Sequence, residues 1–166
     1  MAQISTLQEL YADELKDLWS ANDQMARALN KIAPAATNNK LTALLKTAQE
    51  GITQHTTLLK SIIEGLDEKV QKEHCKGMEG LAAEALKHTV EEGPVSGPVL
   101  DAAIIAQYQR MTHYGITGFG TVAAFAKALK RMGEYDKLES AVKSMYQSDD
   151  LMSELAESAV NIKAVG

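Results

Sequence analysis

The sequence predicts an all-α protein built from long helices. Proline occurs only at 34, 94 and 98, so helix-breaking signals are sparse. Aromatic residues are 5% of the chain, low for a β-sandwich, while alanine, leucine, lysine and glutamate are plentiful. Those residues favour helices. Along most of the chain the apolar residues recur at three- and four-residue intervals, the spacing of one helix face.

The first helix is expected from about 5 to 32, with Leu7, Tyr11, Glu14, Leu18, Asn22, Met25, Leu29 and Ile32 on its inward stripe. Thr6 or Ser5 can cap it, and Glu9, three residues after Thr6, completes a capping box. Pro34 ends it. The second helix starts near Thr37 or Asn38. Its stripe is Leu41, Leu44, Leu45, Ala48, Ile52, His55, Leu59, Ile62 and Ile63, with Gly65 as the expected C-cap. The short link between the two implies an antiparallel hairpin.

A shorter third helix is expected over about 72–91, carrying Met78, Leu81, Ala82, Ala85, Leu86 and Val90 inward. "EEGPVSGP" follows, the clearest break in the chain. The fourth helix is expected over about 98–131, with Leu100, Ile104, Tyr108, Met111, Gly115, Gly118, Val122, Phe125 and Leu129 on its stripe and Gly133 as its stop. The fifth is expected over about 134–162, with Leu138, Val142, Met145, Asp149, Met152, Leu155, Ala159 and Ile162 facing inward. Two long hairpins joined by one long crossover that contains a short helix is the ferritin-like four-helix topology. Residues 1–166 are expected to form a single domain, since a chain of 166 residues can bury a sizeable core.

Composition excludes several functions. The formal net charge is −5 and no basic stripe stands out, so a nucleic-acid partner is not expected. No apolar run reaches the ~20 residues that span a membrane, and "MAQISTLQELYADEL" lacks a signal-peptide pattern. Cys75 is the one cysteine, which rules out an internal disulfide. A cytoplasmic location is expected. No Ser-His-Asp, phosphate-loop or zinc-finger spacing is present.

"QRMTHYGITGFGTVAAF", residues 109–125, is the anomalous stretch. It lies within the fourth helix, yet it holds Gly115, Gly118 and Gly120 and no acidic residue. Each interior glycine costs a helix about 1 kcal/mol relative to alanine. The glycines admit two readings. They let neighbouring helices approach closely, or they empty a volume that a larger side chain would fill.

Four strings, "DELKDLWSANDQMARAL", "CKGMEGL", "DAAIIAQYQRMTHYGITGFGT" and "ELAESAVN", resemble the bacterial YciF-like proteins of the ferritin-like superfamily. The resemblance runs in order from about residue 5 to 162. It implies a rubrerythrin-like helical bundle, a homodimer, an association with bacterial stress responses, and a carboxylate-lined site suggestive of a di-iron centre.

The chain departs from the family at that site. Where the family commonly reads "SAEKQ", this chain reads "SANDQ", with Asn22 at the glutamate position. Where the family reads roughly "LEETHGQ", this chain reads "AQEGITQ". Gln49 and Ile52 thus replace the Glu and His of a Glu-x-x-His pair, while Glu50 survives. "VEHYE" becomes "MTHYG", so Thr112 and Gly115 replace two glutamates and His113 and Tyr114 remain. Ser144 and Met145 stand where the family is acidic, and Asp149 matches a family aspartate.

A ferritin-like di-iron centre draws about six ligands from four helices, and iron wants carboxylate and imidazole. At the matched positions only Asp149 is a good ligand, so no cofactor is expected. A relocated iron site would have to draw on Glu14, His55 and Asp149, which also lie on inward stripes. Met145 and Ile52 are sized to refill the vacated space, so a filled, mostly dry core is expected. A ligand pocket at the vacated centre is the alternative. His113 falls off the stripe and suits an interhelical hydrogen bond. His74 and His88 flank the short helix and are expected in solvent. Cys75 is expected to be packed and inert, although its place at a helix start would also allow a redox role.

The sequence therefore reads as a non-enzymatic, stress-associated ferritin-like protein with a structural or interaction role and an unidentified protein partner. The alternatives are an iron-handling or oxidoreductase protein with a residual or relocated site, and a small-ligand binder using the vacated bundle centre.

Overall fold

The computed structural model describes residues 4–66, 69 and 71–166, and among these every regular element is helical. Helix α1 spans Leu7–Ile32, α2 Asn39–Gly65, α3 Lys76–Leu86, α4 Pro98–Ala128, α5 Met132–Leu155 and α6 Asn161–Ala164. The pairs α1–α2 and α4–α5 form two hairpins. They pack with α1 on α4 and α2 on α5, and α3, in the crossover, lies across α1 and α4. No helix among the described residues is long and apolar enough to cross a membrane.

The helix starts follow local chemistry. The Thr6 hydroxyl accepts from the Glu9 amide at 3.2 Å, and a Glu9 carboxylate oxygen accepts from the Thr6 amide at 2.9 Å. This is the predicted capping box. The Asn38 side chain accepts from the amides of Lys40 and Leu41 at 2.9 and 3.1 Å. Pro98 opens α4 at a position where its missing N–H costs nothing. The 33–38 link is clamped from outside by Asp101 of α4, which is 2% exposed and accepts from the amide and the hydroxyl of Thr37, each at 2.7 Å.

Two predicted stops fall elsewhere. Gly65 is the last residue of α2, and Leu66 caps it. Gly133 lies inside α5. The turn from α4 is made by Lys130, which takes a left-handed conformation at φ 61°.

The faces of two helices are also displaced. A π-helical turn over Lys87–Glu91 follows α3, and a second over Ala156–Val160 follows α5. Each wider turn offsets the following side chains by about one position. Thr89 is therefore buried and Val90 exposed; likewise Val160 is buried and Ile162 is 65% exposed. The expected burial of Val90 and Ile162 is corrected on this ground.

The core is divided in two along the bundle. One apolar cluster gathers Leu29, Ile32, Leu41, Leu45, Ile104, Met111 and Met152 with the buried face of α3. The other gathers Tyr11, Leu15, Leu18, Leu59, Ile63, Phe119 and Leu138. Between them lies a layer that holds Asn22, His55, Thr112, Gly115 and Met145.

Candidate functional site

This middle layer borders a partly open cavity of about 190 Å³ between α1, α2, α4 and α5. Asn22 and Met25 line it from α1, Ala48, Gly51, Ile52 and His55 from α2, and Tyr108, Thr112 and Gly115 from α4. Leu44 and Thr47 of α2 and Ser144, Met145, Gln147, Ser148 and Leu151 of α5 complete it. The expectation of a filled core is corrected here. Ile52 and Met145 form walls, but glycine at 115 and threonine at 112 leave more room than these two side chains take up.

Polar side chains make up about half of the residues that line the cavity, and three of them, Thr112, Asn22 and His55, are weakly partnered. Thr112 is 3% exposed, and its hydroxyl has no hydrogen-bond partner among the described residues. The Asn22 amide donates a long bond, 3.4 Å, to Thr56. The His55 ring leans on Phe119, with centroids 5.5 Å apart, and burial holds its pKa below the ordinary histidine value. Tyr108 and Ser148 bridge α4 and α5 at 2.7 Å. Among the described residues no aspartate, glutamate, lysine or arginine lines the cavity.

Other residues singled out in the sequence lie elsewhere. Gln49 turns to the α1 seam and donates to Asn30 at 2.8 Å; Glu50 is exposed. Asp149 is buried beside α4, where one carboxylate oxygen meets His113 at 2.8 Å and the other has no partner. Glu14 lines a separate groove on the α1–α4 face with Asp17, Arg110, His113 and Tyr114. Burial and then the charges of Asp17 and Asp13 push its carboxyl above the usual range. Glu14, His55 and Asp149 thus face, respectively, this groove, the central cavity and His113. Among the described residues no group of three or more His, Cys, Asp or Glu side chains is placed to hold a metal ion. The neutral donors around the cavity do not fit a di-iron centre, which needs several carboxylates.

The glycines of α4 stand in three different environments. A β-carbon on Gly118 would overlap the Leu18 side chain, so α1 and α4 touch there through the glycine. A β-carbon on Gly115 would meet only the Met145 sulfur, at 3.3 Å. At Gly120 nothing lies within 4 Å. Both readings of the sequence thus apply, each at its own position.

Cys75 caps α3 and sits in a polar network that sequence reasoning missed. Its sulfur accepts from the Met78 amide at 3.4 Å and lies 3.1 Å from the Tyr114 hydroxyl. Ser20 accepts from the Cys75 amide at 3.1 Å, and Gln24 donates to the Cys75 carbonyl at 2.8 Å. The network ties α1 and α4 to α3, and Gly77 leaves the room that the Tyr114 ring takes at the helix start. Burial pushes the thiol pKa up, above any gain from the helix end, so a redox role at this position is not supported. His74 and His88 are exposed as expected, each beside a glutamate of its own segment.

Comparison with known proteins gives a consistent set of relatives. A family model described as a domain of unknown function, DUF892, matches residues 6–165. Protein YciF of Escherichia coli K12 is 31% identical over 162 residues, covering 97% of this chain and 96% of that protein. The crystal structure of the E. coli stress protein YciF superposes with a TM-score of 0.87 at 30% identity, over 95% of this chain and 99% of the other. YcfI of Rhodopseudomonas palustris, to which a structural role is ascribed, superposes with a TM-score of 0.84 at 28% identity, over 91% and 95% of the two chains.

Proposed function

The chain belongs to the DUF892 family, and from that premise we propose that it is a YciF-like stress protein whose middle layer has exchanged metal chemistry for a neutral interior. Its role in this reading is structural or interactive and not catalytic. The observation that carries it is the lining of the central cavity: Asn22, Ile52, Thr112, Gly115 and Met145 stand at positions where the family resemblance implies ligands, and none can replace a carboxylate. The buried Thr112 hydroxyl has no partner and the neighbouring His55 is held toward its neutral form, so no charge is present to balance a bound cation. The structural role ascribed to the R. palustris relative agrees with this. A homodimer belongs to the same reading and rests on the family resemblance; a cytoplasmic location belongs to it on the ground of composition.

Metal analysis of protein purified from iron-supplemented cells tests it. Well under one iron or manganese per chain is expected, with no oxidation of added Fe(II) above the buffer rate. Stoichiometric metal that is lost on replacing inward side chains of the cavity would overturn it.

A further inference from the structure

We propose that the central cavity binds a small uncharged molecule, largely apolar and carrying one hydrogen-bonding group, of the size and class of a simple phenol. The inference rests on the reading above, since metal at the bundle centre would take up the same space. The cavity volume, about 190 Å³, exceeds the ~150 Å³ of an engineered apolar cavity that holds benzene.

The lining selects against charge. Every side chain in it is neutral or, for His55, held toward neutrality by burial. An ion entering would lose its hydration without gaining a counter-charge. Most of the wall is apolar, from Met25, Ala48, Ile52 and Met145. Against it stand three polar groups with capacity to spare. The Thr112 hydroxyl is buried and unpartnered, Asn22 makes only its 3.4 Å bond, and His55 has a ring contact and no hydrogen bond among the described residues. A phenol-like hydroxyl could satisfy one of them while its ring covers the apolar wall. Water alone suits the space less well. At about 30 Å³ each, roughly six molecules would fit, and each wants two to four polar partners that the apolar side does not supply. The exposed lining residues Thr47 of α2 and Ser144, Gln147 and Leu151 of α5 place the mouth between these two helices.

The test is titration of the ¹⁵N-labelled full-length protein with phenol, benzene and benzoate near neutral pH, followed by NMR after its metal content has been measured. Phenol should give saturable shifts centred on the amides of residues 22, 52, 112, 115 and 145. Benzene should bind about tenfold more weakly, a factor that corresponds to one modest hydrogen bond. Benzoate should bind weaker still. Gly115→Leu, which projects into the cavity, should abolish the phenol shifts. If that variant does not fold, Thr112→Val serves instead and should cut the preference for phenol over benzene at least threefold. Absence of saturable shifts with phenol, shifts confined to the outer surface, or equal binding of benzoate would overturn the proposal. Should the purified protein carry stoichiometric metal, the non-metal reading fails by that measurement. Titration of the chelated protein then decides the ligand proposal separately.

Discussion

Leu18 of α1 occupies the space that a β-carbon on Gly118 of α4 would need. One turn earlier on α4, Gly115 faces the cavity and the end of Met145. Two glycines in one helix are therefore present for opposite reasons, and the same substitution separates them.

Gly118→Ala should destabilise the fold by ~1–3 kcal/mol, because Leu18 is 2% exposed and has little freedom to retreat. Gly115→Ala should stabilise it by up to about 1 kcal/mol. Among the described residues its added methyl would meet one atom, the sulfur of a flexible methionine with free volume beside it. Urea unfolding with unchanged slope measures both. If Gly115→Ala lowers the midpoint as Gly118→Ala does, Met145 is fixed and the cavity is not available to it.

Thr112→Val should raise stability by about 1 kcal/mol in the absence of ligand. The two residues have the same shape and similar helix propensity, and the change deletes a buried hydroxyl that lacks a partner. A neutral or negative effect would show that ordered water satisfies Thr112 in the native state.

Cys75 should react with N-ethylmaleimide far more slowly in native buffer than in urea. It is 1% exposed and its thiol is held protonated by burial. Rapid labelling of the folded protein at neutral pH would mean that the start of α3 opens readily. The Ser20–Gln24–Cys75–Tyr114 network would then not be the clamp that its geometry suggests.

The helices were legible because each rests on local chemistry. Thr6 with Glu9, Asn38 and Pro98 mark starts that any reader of the sequence can place. The hairpin order follows from short links. What failed to show was non-local or aperiodic. The π turns at 87–91 and 156–160 carry no residue signature, so a constant period put Val90 and Ile162 inside when they lie outside. At the candidate site, alignment to a family pattern located the layer. It could not say that Gln49 turns to Asn30, that Glu14 lines another groove, or that Asp149 pairs with His113 outside the cavity. Those depend on rotamers chosen by neighbouring helices. The void itself was obscured because Ile52 and Met145 look large enough in sequence to fill it.

His55 gives the middle layer a pH signature. Burial lowers its pKa in the folded state relative to the unfolded value near 6.5. Below that value the unfolded chain binds more protons at this site than the folded protein does. Stability must then fall as pH falls through about 6.5, and level off once the folded histidine also protonates. Glu14 acts with the opposite sign at lower pH, since its raised carboxyl takes up a proton more readily when folded. Comparison with a His55 variant removes that background. His55→Gln keeps a neutral polar side chain and cannot titrate. Its stability difference from the parent should therefore shrink or reverse in its favour as pH drops from 8 to 5. Urea midpoints across that range measure it. Parallel curves for the two proteins would mean that His55 is as well solvated folded as unfolded, and that the cavity is open to bulk water rather than lined by a dry neutral wall.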